Sequence, residues 1–234
     1  MSFGYNPYIW IYLIPALILV VPIVYSIYNK NKDPLWLAVL SMTVFWCLGF
    51  ALQVSGTDIK TISFWYIISN DFIGVKTPTV LLLWALTVTG RKKLVTPFKV
   101  IALFLVPAAT DILNLTNAGH GLVYPKMWLD ASSGYPLLQF IKGPWYWVIN
   151  VYCVLELFII VALLVKAALN RQLLYRVQGY TIAAFVFVVL LFIVLVLAAD
   201  GSLFSYYDLT PVVISLVMSC SSLAFRFRTQ EAIP

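Results

Sequence analysis

The sequence predicts an all-α membrane protein: a seven-transmembrane helix bundle, N-terminus outside, C-terminus cytoplasmic, with a β-hairpin in the outer loop between helices 4 and 5. Three observations carry this prediction. Of 234 residues, 62% are hydrophobic and 10% are charged, and the mean hydropathy is +0.95, so lipid must be the solvent for most of the surface. Apolar runs of about 20 residues, the length that crosses the hydrocarbon core, nearly exhaust the chain. Lysine and arginine gather at alternate run ends.

The runs read as 8–28, 35–54, 65–89, 97–115, 144–169, 178–199 and 209–225. Punctuation separates them. Asn29 to Pro34 ends the first and starts the second, Gly90-Arg91-Lys92-Lys93 ends the third, Asn170-Arg171 the fifth and Ala199-Asp200-Gly201 the sixth. No basic residue precedes the first run, which is long enough to span, so it reads as a membrane helix and not as a cleaved signal.

Orientation follows from the basic residues. One side collects Lys30, Lys32, Arg91, Lys92, Lys93, Lys99, Lys166, Arg171, Arg176, Arg226 and Arg228; the other has Lys60, Lys126 and Lys142. The richer side is assigned to the cytoplasm, and seven spans then place the N-terminus outside. The net charge of +6 is therefore a topological signal, with no nucleic-acid partner implied. Tyr5, Tyr8, Trp10 and Tyr12, and later Trp145, Tyr146 and Trp147, form aromatic belts at outer span ends.

The long connection, 116–143, carries extended apolar runs at 121–129 and 135–141 around Ala131-Ser132-Ser133-Gly134. That pattern predicts a hairpin, and an ordered loop of this length is a candidate lid. Cys47, Cys153 and Cys220 all lie in apolar runs and read as packing residues, without disulfide or metal spacing. No catalytic residue, cofactor or metal site is predicted.

Charges inside spans cost about 2.5–3.5 kcal/mol on insertion scales, so each marks a candidate site. Lys76, Asp111 and Glu156 lie in the third, fourth and fifth spans. Counted from the inner ends, each sits about 20 Å up at 1.5 Å per residue. One cation and two acids at one level predict a buried cluster, either an ion pair that fixes packing, the polar side of a ligand pocket, or an ion path. Asp71 reads as lying nearer the outer surface. Asn114 and Asn117 continue a polar stripe toward His120, the single histidine. Tyr124, Trp128 and Tyr207 are candidate apolar walls. Pro78 cannot donate to the carbonyl of Gly74, so a kink is expected beside Lys76. The run Leu209 to Phe225 has no lysine for a Schiff base, which argues against a retinal protein.

Three segments carry a resemblance: Val88-Thr89-Gly90-Arg91 after the third span, Thr116-Asn117-Ala118-Gly119-His120-Gly121-Leu122 after the fourth, and Phe225-Arg226-Phe227-Arg228 with Ile233-Pro234 at the end. Together they resemble the N-terminal seven-transmembrane sensor region of membrane histidine kinases, with Tyr124 where that family frequently has tryptophan. The resemblance implies a sensor domain over 1–228, with 116–143 as its extracellular loop and 229–234 as the start of a linker to an output domain beyond this chain. It implies an input domain in the plasma membrane that detects an extracellular or membrane-borne ligand, a small molecule or a peptide. The expected ligand set is Lys76, Asp111, Asn114, Asn117, His120, Tyr124, Trp128, Glu156 and Tyr207. Gly74, Pro78, Arg226 and Arg228 would transmit the signal. Lipids, a cytoplasmic kinase domain and a second copy are the expected partners. The alternative is a small-solute or ion transporter built on Lys76, Asp111 and Glu156.

Overall fold

The computed structural model describes residues 1–28, 33–131 and 134–169, together with Val212. Apart from Val212, the predicted runs 178–199 and 209–225 lie outside the described residues, as do Tyr207, Cys220, Arg226, Arg228 and the segment 229–234.

Among the described residues, five helices are long and apolar enough to cross a membrane: Ile9–Tyr28, Pro34–Ser55, Ile59–Val88, Pro97–Leu115 and Pro144–Ala167. In α1 (Ile9–Tyr28), Tyr12, Pro15, Ala16, Leu19 and Pro22 are buried. Their spacing of three and four puts them on one face, against α2 (Pro34–Ser55). Leu17, Val21 and Val24 face away, each more than half exposed, as befits a lipid-facing stripe. Asp33 starts α2 by accepting from the amides of Leu35 and Trp36, with Pro34 in the first turn. Its second oxygen accepts from the Trp84 indole at 3.1 Å, and Trp36 lies 4.6 Å from Trp84 ring to ring.

The third span begins at Ile59, not at 65. Asp58 caps α3 (Ile59–Tyr66) by accepting from the Thr61 amide, so the helix continues upward through polar Lys60 and Ser63, which hydropathy alone leaves out. A π-helical stretch follows, Ile67–Gly74, and the span resumes as α4 (Lys76–Val88). The wider turn closes with the Val75 amide donating to the Asn70 carbonyl at 3.0 Å. The expected irregularity beside Lys76 therefore takes the form of a changed winding, ending at Gly74, the residue whose carbonyl Pro78 cannot reach.

Pro97 opens α5 (Pro97–Leu115). A single turn, α6 (Asn117–His120), leads into the loop, where β1 (Met127–Asp130) pairs antiparallel with β2 (Leu137–Phe140). The chain then enters α7 (Pro144–Leu169). The N-terminal segment docks near this loop. Phe3 bridges to Gly56, Gly4 donates to the Ser55 carbonyl, and Tyr8 packs edge-on against Tyr135. The segments predicted to be extracellular thus gather at one end.

Beneath them lies an aromatic cluster. Tyr66, Tyr124, Phe140 and Tyr146 have centroids 5.0–6.1 Å apart where they touch, and Phe50 and Tyr12 extend the chain of rings to α2 and α1. Such contacts add about 0.5–1.5 kcal/mol per pair beyond burial. Cys47 is buried and Cys153 partly buried, and neither forms a disulfide among the described residues.

Candidate functional site

The polar residues of the spans sort into three groups. In the first, Lys76 Nζ lies 2.7 Å from Asp111 Oδ1, with the two side chains 22% and 23% exposed. The same ammonium donates to the Phe72 carbonyl at 2.7 Å and lies 5.0 Å from the centroid of the Phe72 ring. Lys76 therefore ties the π-helical stretch to α5. Depth counting brings these two charges together correctly, but the pair is partly accessible and not fully buried.

Glu156 does not join them. It is 2% exposed, accepts from Thr79 Oγ1 at 2.9 Å, and lies 2.7 Å from the Tyr152 hydroxyl. That hydroxyl also donates to the Leu103 carbonyl at 2.6 Å. The predicted trio is thus a pair and a separate acid. Equal depth fixes height along the bundle, whereas the direction around each helix is set by packing. Tyr152 stands four residues before Glu156, on the same face, and this spacing was the available signal for it.

Asp71, expected nearer the outer end of the third span than Lys76, lies on the π-helical stretch before Lys76 and is 1% exposed. The Tyr124 hydroxyl lies 3.0 Å from both of its oxygens, and Asn70 Nδ2 lies 3.3 Å from one. Burial, with Asp71 beside it, holds the Tyr124 phenol well above its usual range, so it remains a donor. Tyr124, expected as an apolar wall, packs its ring in the aromatic cluster and also makes a polar contact between loop and span. Asn114 is buried with its amide beside the Asp71 carboxyl.

Asn117 and His120 hold the loop. Asn117 Oδ1 accepts from the amides of Val123 and Tyr124 at 3.0 and 3.2 Å, and its Nδ2 donates to the Tyr124 carbonyl at 2.8 Å. His120 is exposed; its Nδ1 accepts from the Leu122 amide and its Nε2 lies 3.0 Å from Thr116 Oγ1. Thr116 gives its one hydrogen to the Ile112 carbonyl, so Nε2 carries the proton of the imidazole. Asn117 and His120 thus bond to the loop backbone and help to place Tyr124 beside Asp71. Trp128 is 41% exposed, with the Lys126 ammonium 5.8 Å from its ring. Gly74 packs on Trp46: a Cβ there would lie 2.8 Å from the indole. Among the described residues no three His, Cys, Asp or Glu side chains are placed to share a metal ion.

Comparison with known families matches residues 11–234 to the N-terminal 7TM region of histidine kinase. No curated protein and no solved structure matches the chain.

Proposed function

This chain belongs to the family of N-terminal 7TM regions of histidine kinases, and from that premise we propose that it is the sensory input domain of a transmembrane signalling protein. In this reading the chain crosses the plasma membrane seven times with its N-terminus outside, and the 116–143 segment is an outer lid. A ligand that is extracellular or carried by the membrane meets the polar layer of Lys76, Asp111 and Asn114, to which Asp71 and Tyr124 are added. Asn117 and His120 position the lid, and Tyr207 completes the wall. Lipid surrounds the bundle, a cytoplasmic kinase domain receives the signal, and two copies work together, as dimeric kinase output requires.

The observation that carries the reading is the bond between Tyr124 and Asp71. It joins the lid to the one stretch of the third span that is wound as a π-helix, and the same stretch is gripped by Lys76. π-helical stretches inside α-helices are rare and recur at functional sites. A ligand that moves Tyr124 changes the balance between windings only through differential affinity for the two arrangements. The shift then passes through Gly74 and Pro78 to the lower half of the span, and through the last span to Arg226 and Arg228.

The carrier alternative needs Glu156 beside Lys76. The acid instead bonds to Thr79 and Tyr152, and this favours the sensor reading.

The test couples this chain to a histidine kinase output in proteoliposomes and follows autophosphorylation. Tyr124→Phe and Asp71→Asn should both move the basal activity in the same direction, while Lys99→Ala at the opposite end leaves it unchanged. Parental activity in both site variants would overturn the reading.

A further inference from the structure

We propose that Glu156 is a proton-binding site inside the membrane, a neutral carboxylic acid whose proton completes a directed hydrogen-bond chain from Thr79 through Tyr152 to the Leu103 carbonyl. The proposal goes beyond the sensor reading and rests on a count of hydrogens. The Tyr152 hydroxyl stands 2.6 Å from the Leu103 carbonyl and 2.7 Å from Glu156 Oε1, yet it has one hydrogen to give.

The sequence decides where that hydrogen goes. Within α5 the Leu103 carbonyl should accept from the amide four residues on, and that residue is Pro107, which has none. A carbonyl orphaned in the interior of a span is costly unless a neighbouring helix supplies a donor. Tyr152 supplies it. A carbonyl cannot donate, so the short contact between Tyr152 and Glu156 requires the hydrogen to come from Glu156. Thr79 Oγ1 donates to the other oxygen, Oε2, which then serves as the acid's carbonyl. Every oxygen in the chain is satisfied once, and the third, fifth and fourth spans are joined in that order.

The surrounding charges agree. On α4 the cation is Lys76, held by Asp111 of α5. On the π-helical stretch, Asp71 is bonded by Tyr124. On α7 the other titratable neighbours are Tyr152 and Cys153. Among the described residues no cation is paired with Glu156, and a lone carboxylate in this setting would be strongly disfavoured.

The proton also acts as a latch. When it leaves, Tyr152 has two acceptors for one hydrogen, and the charged one forms the stronger bond. The Leu103 carbonyl is then released, and α5 loses this tie to α7. Loss of one proton thereby loosens the fourth span from the fifth at the level of Pro107.

The test is infrared difference spectroscopy of the full chain in lipid nanodiscs at neutral pH, in H2O and D2O. The parent should show the carbonyl stretch of a protonated carboxylic acid, shifted down in D2O. Glu156→Gln should remove it, because the amide can donate to Tyr152 and accept from Thr79 without titrating. Asp71→Asn should leave that band in place, and Tyr152→Phe should move its frequency. If Glu156→Gln removes only ionised carboxylate bands, the proposal fails. Should the glutamine variant not fold, an unmoved band in Tyr152→Phe would overturn it equally.

Discussion

Tyr124 and Asp71 bind across the boundary between the 116–143 loop and the third span, with the phenol 3.0 Å from both carboxylate oxygens. Both partners are almost wholly buried, so removing the donor strands the acceptor. Tyr124→Phe should cost about 1–3 kcal/mol, the usual penalty of an unsatisfied buried polar group. Unfolding in detergent micelles measures this. Combined with Asp71→Asn, the loss should be smaller than the sum of the two single losses. Strict additivity would show that the two side chains are not coupled.

Lys76 and Asp111 offer a second double-mutant cycle. The pair is shielded on most sides but about a fifth exposed, so it stands between the surface and buried limits. Lys76→Ala should destabilise by about 2–4 kcal/mol, since it leaves Asp111 unpaired in the membrane and also strips the Phe72 carbonyl of a donor. Lys76→Met with Asp111→Leu should recover much of that loss, because two apolar side chains need no partner there. The same unfolding measurement reads both. A double variant as unstable as the worse single one would refute this account.

Asp58 gives a pH dependence. Hydrogen bonds from Ser2, then from the Thr61 side chain and amide, hold its carboxyl well below the usual range. A group whose folded value is depressed stabilises the fold fully above its unfolded value, near 3.9 for aspartate, and loses that contribution as pH falls toward the folded value. Docking of the N-terminal segment should therefore be intact at neutral pH and weaken only below about pH 4. Hydrogen exchange of the Ser2 and Gly4 amides follows it directly. In Asp58→Asn those amides should exchange faster at neutral pH, with much less further change on acidification.

How far the sequence reaches can be seen residue by residue. Asp33-Pro34, Gly90 and Pro97 end or start helices through local chemistry, and the span limits beside them are legible. The pairing of Lys76 with Asp111 is legible too, because both were counted from sharp inner ends. The partner of Asp71 is not, since Tyr124 reaches it from the loop, 53 residues further along the chain. Nothing in Ile67–Gly74 announces a π-helix, because no residue type prefers that winding strongly. Asn117 and His120 look alike in sequence whether they hold a ligand or a loop backbone. Their partners, Val123, Tyr124 and Leu122, become visible only once the loop has folded back.

Gly49 and Gly74 let α2 come close to the π-helical stretch, and the last prediction concerns them. A Cβ at Gly49 would lie 2.6 Å from Ser69 Cβ and 3.3 Å from its Cα. Ser69 is itself fixed, with its hydroxyl donating to the Trp65 carbonyl at 2.6 Å, and it is fully buried. A Cβ at Gly74 would lie 2.8 Å from the indole of Trp46, a side chain that can shift more easily than a backbone. Gly49→Ala should therefore be the more damaging change, by about 1–3 kcal/mol of overpacking. Its effect should fall on the π-helical stretch, raising hydrogen exchange at Val75, whose amide closes the wide turn. Gly90→Ala is a control of another kind: that position has open space around it but a φ of 75°, so its cost is local strain at the span end. Exchange at Val75 should then stay parental. If Gly49→Ala leaves Val75 as protected as in the parent, the winding of the third span does not depend on the approach of α2.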